Sequence, residues 1–441
     1  MIGLPWSRSS RRLPTLVVRP LQSFLETEAA GGVFLLAAAV AALVWANIGH
    51  SYERVWTQAA SVNVGSWGIS MDLRHWVTDG LMAVFFFVVG LEIKRELTTG
   101  ELRDRRVATL PIAAALGGMA APALLYLALN AGGAGAHGWG IPMATDIAFA
   151  LGVLIVAGKG LPPSLRAFLL ALAIVDDIGA ILVIAVFYSR GISLVPLAVA
   201  GCLLLLMAGA HRVHIRSMAF YGLVGVAVWV AVYESGVHAT IAGVVLGLLT
   251  PAAAFQRPRA VSDEAHRIAD ETTDEPWPPD VDAPQWLRLA ALSKEAVSPL
   301  ARLESVLHPW SSFVIVPLFA LANAGIVVSG GAIREAFSSP VTLGVVLGLV
   351  VGKAVGISGG AWLANTARLA SLPTGVRWRH IVAVAVTAGI GFTVSLLMAD
   401  LAFRSYALIE AAKVGILAGS TIAAVAGWFL LKRAGRARVD P

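Results

Sequence analysis

Long apolar runs separated by short polar breaks set the pattern of this chain. The runs are Ala29–Ile48, Trp76–Gly90, Val107–Leu129, Ile141–Ala157, Ala167–Tyr188, Ile192–Ala210, Met218–Tyr233, Val237–Leu249, Trp310–Val328, Val341–Leu363, Ile381–Phe403 and Ile409–Leu431. About 20 apolar residues cross a bilayer as one helix. The pattern predicts an all-α polytopic membrane protein with about twelve transmembrane helices, spans 1–8 within residues 29–250 and spans 9–12 within 307–431. Two polar segments interrupt it. Ser51–His75 contains ASVNVGSWGIS, which alternates loosely around Gly65 and Ser66. It reads equally as a short β-hairpin and as a plain polar loop. Residues 251–306 contain DETTDEPWPPDVDAP and read as a long, mostly disordered loop, since they have little to bury.

Charge orients these spans. Arg8, Arg11, Arg12 and Arg19 precede the first run, and Lys94, Arg95, Arg103, Arg105 and Arg106 follow the second. Lys159 and Arg166, Arg212 and Arg216, Arg368, Arg377 and Arg379, and finally Lys432, Arg433, Arg436 and Arg438 fall on the same side. The opposite loops hold Arg54, Arg74, Arg190, Arg334 and Arg404. The positive-inside rule puts both termini in the cytoplasm, so residues 1–28 and 432–441 read as cytoplasmic tails. The net charge of +6 is explained by this orientation and points to no nucleic-acid partner. Composition agrees with lipid as the solvent: 57% of residues are hydrophobic and 14% charged, against about a quarter charged in a soluble domain. The single cysteine, Cys202, excludes an intrachain disulfide.

The fifth run holds two adjacent acids, Asp176 and Asp177, in LALAIVDDIGAILV. An ionisable group at that depth costs at least ~2.5 kcal/mol, so it marks a functional site. Two neighbouring carboxylates cannot both stay ionised without a counter-charge. A proton or a cation must visit them. Adjacent helical residues point about 100° apart. One acid is therefore free to face water while the other faces a partner. Lys353, in GLVVGKAVGIS, sits at mid-span and needs an acid or must be neutral.

Two runs carry breaks. The fourth contains GIPMATDIAF, in which Pro142 removes a backbone donor next to Thr145 and Asp146. The eleventh contains TAGIGFT, whose glycines permit unwinding. Each is the middle member of a three-span group, spans 3–5 and 10–12. Matched interruptions of this kind point to a transporter's binding site.

These segments resemble a known family. TDIAF (145–149), AIVDDIGA (173–180), GVHATIAGV (236–244), PLFALANAG (317–325), VGKAVGI (351–357) and GIGFT (389–393) are similar to the signature segments of the NhaA family of sodium/proton antiporters. VFFFVVGLEIKREL (84–97) and RLESVLHPW (302–310) match as well, in family order. The resemblance implies inverted repeats with two interrupted helices. It implies exchange of Na+ (or Li+) for H+ across the bacterial inner membrane, with two protons per Na+. It implies that Asp176 and Asp177 bind the cation and the protons, with Thr145 adding a hydroxyl. Asp146 and Lys353 would compensate the facing helix ends where the breaks cross, and Lys353 would pair with the first acid until sodium binds. Glu92, Arg95, Glu96, Glu304 and His308, with Lys94 beside them, would serve pH regulation; ordinary helix-end charges are the plain alternative. Some family members carry histidine where this chain has Ser305. Asp79 reads with even weight as ion-path lining or a helix-end acid. The loop Ser51–His75 would form a homodimer seam. No cofactor beyond the transported ions is implied.

His238 reads as structural, and Glu410 and Lys413, spaced i, i+3, can pair. Three rivals remain from the residues alone. Another transporter on the same scaffold would carry potassium or an organic anion with sodium, and a bulky substrate would need a roomier cavity. An intramembrane aspartyl protease would need its two acids to face each other, which neighbours on one helix do not. A magnesium-dependent prenyltransferase would need more acids than these runs contain. The expected activity is therefore transport rather than catalysis.

Overall fold

The computed structural model describes residues 29–65, 67–158, 160–189, 191–213, 215, 217–271, 283–327 and 338–436. The tail 1–28, residues 437–441, the acidic stretch 272–282 and the basic residues Lys159, Arg190, Arg216 and Arg334 lie outside the described residues. The chain is mostly helical. In order, the elements are α1 (Ala29–Ala46), α2 (Ser51–Trp56), β1 (Ala59–Val64), β2 (Trp67–Asp72), α3 (Leu73–Thr98) and α4 (Arg105–Asn130). A 3-10 stretch, Ala136–Met143, precedes α5 (Ile147–Ala157) and α6 (Pro163–Val183), which continues as a π-helical turn to Tyr188. Then follow α7 (Leu194–Arg212), α8 (Met218–Glu234), α9 (Ala239–Leu249), α10 (Pro258–Glu271), α11 (Ala283–Glu295) and α12 (Pro299–Asn323). The last are α13 (Pro340–Thr366), α14 (Trp378–Thr387), α15 (Phe392–Ala402) and α16 (Tyr406–Arg436).

Among the described residues, eight helices are long and apolar enough to cross a membrane, or nine with the bent pair α14–α15. Three shorter apolar helices, α1, α8 and α9, accompany them. Most of these helices are apolar on every side, as lipid requires.

The described residues fall into two compact units. The first comprises residues up to 82, then 101–191 and from 312 onward. Its core joins Leu110, Leu151, Leu154, Phe168, Leu172, Ile357, Ile381 and Val384 from five helices. Helices α4 and α13 approach closely: a Cβ on Gly117 would collide with the Gly356 carbonyl oxygen, so only glycine lets the two backbones meet. Within the segment 51–75, the helix α2 is followed by a hairpin over residues 59–72. β1 and β2 pair antiparallel from Ala59↔Asp72 to Val64↔Trp67, and Gly65 enters the turn at φ +63°. Ile69 and Met71 are buried while Gly68 and Ser70 are exposed, the period-two pattern of a strand.

The second unit comprises residues 83–100 and 192–311. Ala200, Val228, Ala231, Val232 and Ala242 form a small core between α7, α8 and α9. Two readings change here. The loop 251–306 contains helices α10 and α11, because Val261, Ala265 and Ile268, and then Leu289 and Leu292, recur at helical spacing on either side of the acidic centre. The helix expected from Trp310 begins at Pro299, with Ser298 capping it by accepting from the Ala301 amide at 3.2 Å.

Candidate ion-binding site

The first unit loses helical geometry twice. Ala144–Asp146 are extended between the 3-10 stretch and α5. On the other segment α14 stops at Thr387 and α15 starts at Phe392, with the axes 48° apart. Proline and glycine explain both breaks, since Pro142 cannot donate and Gly391 has no side chain. A Cβ on Gly391 would lie 2.9 Å from the Ala144 carbonyl oxygen, so the glycine is what lets the two breaks touch.

Each broken end meets the opposite segment. Thr145 Oγ1 donates to the Ala388 carbonyl at 2.9 Å, and the Asp146 amide donates to the Ile390 carbonyl at 2.6 Å. Ser395 Oγ donates to the Ile141 carbonyl at 2.7 Å. The Gly391 amide donates to Ser420 Oγ of α16 at 3.2 Å. Asp146 serves two helices at once. Its Oδ1 accepts from the Phe149 amide of α5 at 3.2 Å. Its Oδ2 accepts from the Thr393 amide of α15 at 3.1 Å and from Thr393 Oγ1 at 2.7 Å. One carboxylate therefore caps two helix N-termini, where the helix dipoles favour negative charge.

Asp176 and Asp177 lie within α6, 1% and 6% exposed. Lys353, in α13 and wholly buried, donates to Asp176 Oδ2 at 2.6 Å. Thr145 lies beside Asp176, and Asp177 lies within the electrostatic reach of Lys353. Asp176 Oδ1 is buried and accepts no hydrogen bond among the described residues. The structure thus gathers Thr145, Asp146, Asp176, Asp177 and Lys353 in the first unit. Three hydroxyl residues, Thr393, Ser395 and Ser420, hold the crossing and were not picked out from sequence. The available signal was hydroxyls set beside glycines inside apolar runs, as in GIGFTVS.

Among the described residues, no group of three or more His, Cys, Asp or Glu side chains is placed to hold a metal ion. The oxygens on offer are two carboxylates and a hydroxyl, hard donors that suit a small alkali cation better than a tightly held transition metal.

The remaining candidates lie elsewhere. Asp79 occupies a π-helical turn, Trp76–Leu81, of α3 in the first unit. In the second unit, Arg95 pairs with Glu304 and lies 3.8 Å from Glu96. Glu92 has Glu304, Arg95 and Glu96 as its charged neighbours. His308 is exposed, and Ser305 Oγ donates to the Arg302 carbonyl of its own helix at 2.9 Å. His238 stands at the N-cap of α9. Lys413 forms an ion pair with Asp400 at 3.6 Å, a partner from α15 rather than the Glu410 of its own helix.

The sequence profile described as Na+/H+ antiporter 1 matches residues 22–431. The chain belongs to the Na+/H+ antiporter 1 family. It is 48% identical over 96% of its length to "Na(+)/H(+) antiporter NhaA 3" of Frankia alni, covering 90% of that protein. It is 47% identical over 94% of its length to "Na(+)/H(+) antiporter NhaA 2" of Sorangium cellulosum, covering 90% of it. "Na(+)/H(+) antiporter NhaA" of Anaeromyxobacter sp. is 46% identical over 94% of this chain and is covered over 92%. Membership supports Na+/H+ exchange by a multi-pass membrane transporter, a protein that moves ions rather than an enzyme in the usual sense.

Proposed function

We propose that this chain exchanges Na+ (or Li+) for H+ by alternating access at one paired-aspartate site, Asp176 and Asp177, with Thr145 supplying a hydroxyl. The observation that carries the reading is the buried Lys353–Asp176 contact at 2.6 Å, beside a second carboxylate and an unpaired Asp176 oxygen. With Lys353 and both acids charged, the site would carry a net negative charge in apolar surroundings. That charge is costly to bury and calls for a cation or a proton. A proton on Asp177 neutralises the site. The Lys353–Asp176 pair holds one further displaceable proton. Na+ drawn between the carboxylates takes Asp176 from Lys353, and Asp177 and the Lys353 ammonium each release a proton to water, which leaves the sodium-loaded site one charge more negative than the proton-loaded one. Two protons against one Na+ move net charge, so exchange is electrogenic. Competition itself couples the two ions, and no separate coupling device is needed.

The wider reading follows the same logic. The chain crosses the bacterial inner membrane about twelve times, in inverted repeats with two interrupted helices and both termini cytoplasmic. The matched breaks and the charge asymmetry of the loops support it. The hairpin 59–72 supports a homodimer seam within Ser51–His75. The Arg95–Glu304 pair next to Glu92 and Glu96 supports a pH-responsive cluster, to which His308 contributes. Asp79 lines the ion path.

The test is a cation screen in proteoliposomes with a pH-sensitive dye. Asp176→Asn and Asp177→Asn should each abolish sodium-driven proton release while the protein still elutes as a folded species. In the wild type, half-saturating Na+ should rise by up to about 100-fold per unit fall in pH where two protons compete. A Na+ affinity that is the same at every pH would remove the competition.

A further inference from the structure

The segment between α9 and α12 carries a surface that ion exchange leaves unused. Helix α11 has two faces. Gln285, Leu289, Leu292 and Glu295 are partly covered, and Arg288 Nε lies 4.0 Å from Glu264 of α10. The other face carries Trp286, Leu287, Ala290 and Ala291, all exposed, and ends in exposed Lys294. Their spacing of i, i+1, i+4, i+5 and i+8 makes one stripe along the helix. Trp286 is 46% exposed and Leu287 70%. A contiguous apolar stripe of this kind marks a contact surface.

Position identifies the partner. The Glu295 carbonyl, at the end of α11, accepts from the amides of Phe255 and Gln256, each at 3.1 Å. The Phe255 ring lies 6.5 Å from that of His211, in the last turn of apolar helix α7. The Leu300 amide donates to the Pro251 carbonyl at 3.2 Å, which sets the first turn of α12 level with the end of apolar helix α9. Residues 296–298 alone join α11 to α12, and they span at most about 10 Å. The headgroup layer adds about 5–7 Å on each side of the hydrocarbon. The end of α11 is therefore tethered at headgroup depth. Its stripe matches that depth: leucine and alanine suit the acyl boundary, tryptophan the interface, and a bordering lysine an anionic headgroup.

We propose that α11 is an interfacial helix that lays its Trp286–Leu287–Ala290–Ala291 face on the cytoplasmic leaflet and favours anionic phospholipid. The inference rests on the chain's place in a bilayer and not on its ion chemistry. The full chain has one cysteine, so Cys202→Ser combined with Leu287→Cys gives a single labelling site. An environment-sensitive fluorophore there is followed in vesicles of phosphatidylcholine alone or mixed with phosphatidylglycerol. Reconstitution should shift emission to the blue, protect the probe from aqueous iodide and expose it to spin-labelled lipid, most strongly in the anionic vesicles. Lys294→Glu should reduce the anionic preference. Iodide quenching unchanged by reconstitution would overturn the proposal. So would shielding that grows with protein density without quenching by lipid, which would indicate a second copy. Exchange measured in the same vesicles reads the ion site separately: active protein with a water-exposed probe sinks the interfacial helix alone. Trp286→Cys repeats the measurement if the first variant does not reconstitute.

Discussion

Asp146 and Asp176 are buried almost equally, 3% and 1% exposed, yet they are held in different ways. Asp146 accepts three hydrogen bonds, from the Phe149 amide, the Thr393 amide and Thr393 Oγ1. All three come from the first turns of two helices whose positive ends it faces. Asp176 has one strong partner, Lys353, and an oxygen left unpaired. A carboxylate held by two backbone amides and a hydroxyl is a fixed part of the fold, because the backbone donors do not leave. A carboxylate held by one side-chain ammonium is exchangeable, because another cation can take the place of that ammonium. The contrast separates a lock from a candidate site.

The largest effect should come from splitting the exchangeable pair. Lys353→Ala leaves two buried carboxylates without their ammonium, and Asp176→Asn takes from the buried ammonium its direct partner. Removing one member of a buried ion pair costs about 3–5 kcal/mol. Each single variant should therefore melt well below the wild type. The double variant should melt above either single, since replacing both partners removes the uncompensated charge. Melting temperatures of all four proteins in one detergent check this. Additive losses would mean that the two groups do not depend on each other.

A smaller effect is expected at the lock. Asp146→Ala removes the N-cap of α5 and that of α15, each worth about 1 kcal/mol. Thr393→Val keeps the amide bond and loses one hydroxyl donor to a carboxylate, about 1.5 kcal/mol or somewhat more. The two losses should not add, because both act through Asp146 Oδ2. Thermal melts of the singles and the double decide this. Full additivity would argue that Asp146 and Thr393 stabilise different parts of the crossing.

Much of the candidate site was readable because charge in an apolar run is expensive. Asp146, Asp176, Asp177 and Lys353 stand out on that ground alone, and Pro142 and the glycines at 389 and 391 mark where the helices end. Thr393 was not readable in the same way. A threonine in a membrane helix normally bonds its own preceding turn, and its partner here lies 247 residues away. Lys413 misled for the opposite reason. The i, i+3 rule offers Glu410, a neighbour on the same helix, whereas close packing of α15 on α16 offers Asp400. The helices α10 and α11 were hidden by the acidic, proline-rich stretch between them, which dominates any average taken over the whole loop. The hairpin's alternation was visible, but its register is set by the turn at Gly65.

The smallest effect on stability should come from the Arg95–Glu304 pair, and it sharpens the contrast from outside the site. Arg95 is 48% exposed at its side chain, so water screens the attraction. Such a pair contributes under about 1 kcal/mol. Glu304→Gln should leave the melting temperature nearly unchanged. It should nonetheless shift the pH at which exchange switches on. Three carboxylates, Glu92, Glu96 and Glu304, share this region with Arg95. Like charges held this close repel one another. Taking away one acid relieves that repulsion, so the rise in activity should move toward lower pH. Dye-reported exchange in vesicles, scanned across pH for the wild type and Glu304→Gln, measures the shift. A melting temperature that falls as far as in Lys353→Ala would show the pair to be structural. An unshifted profile would show that the cluster only anchors helix ends.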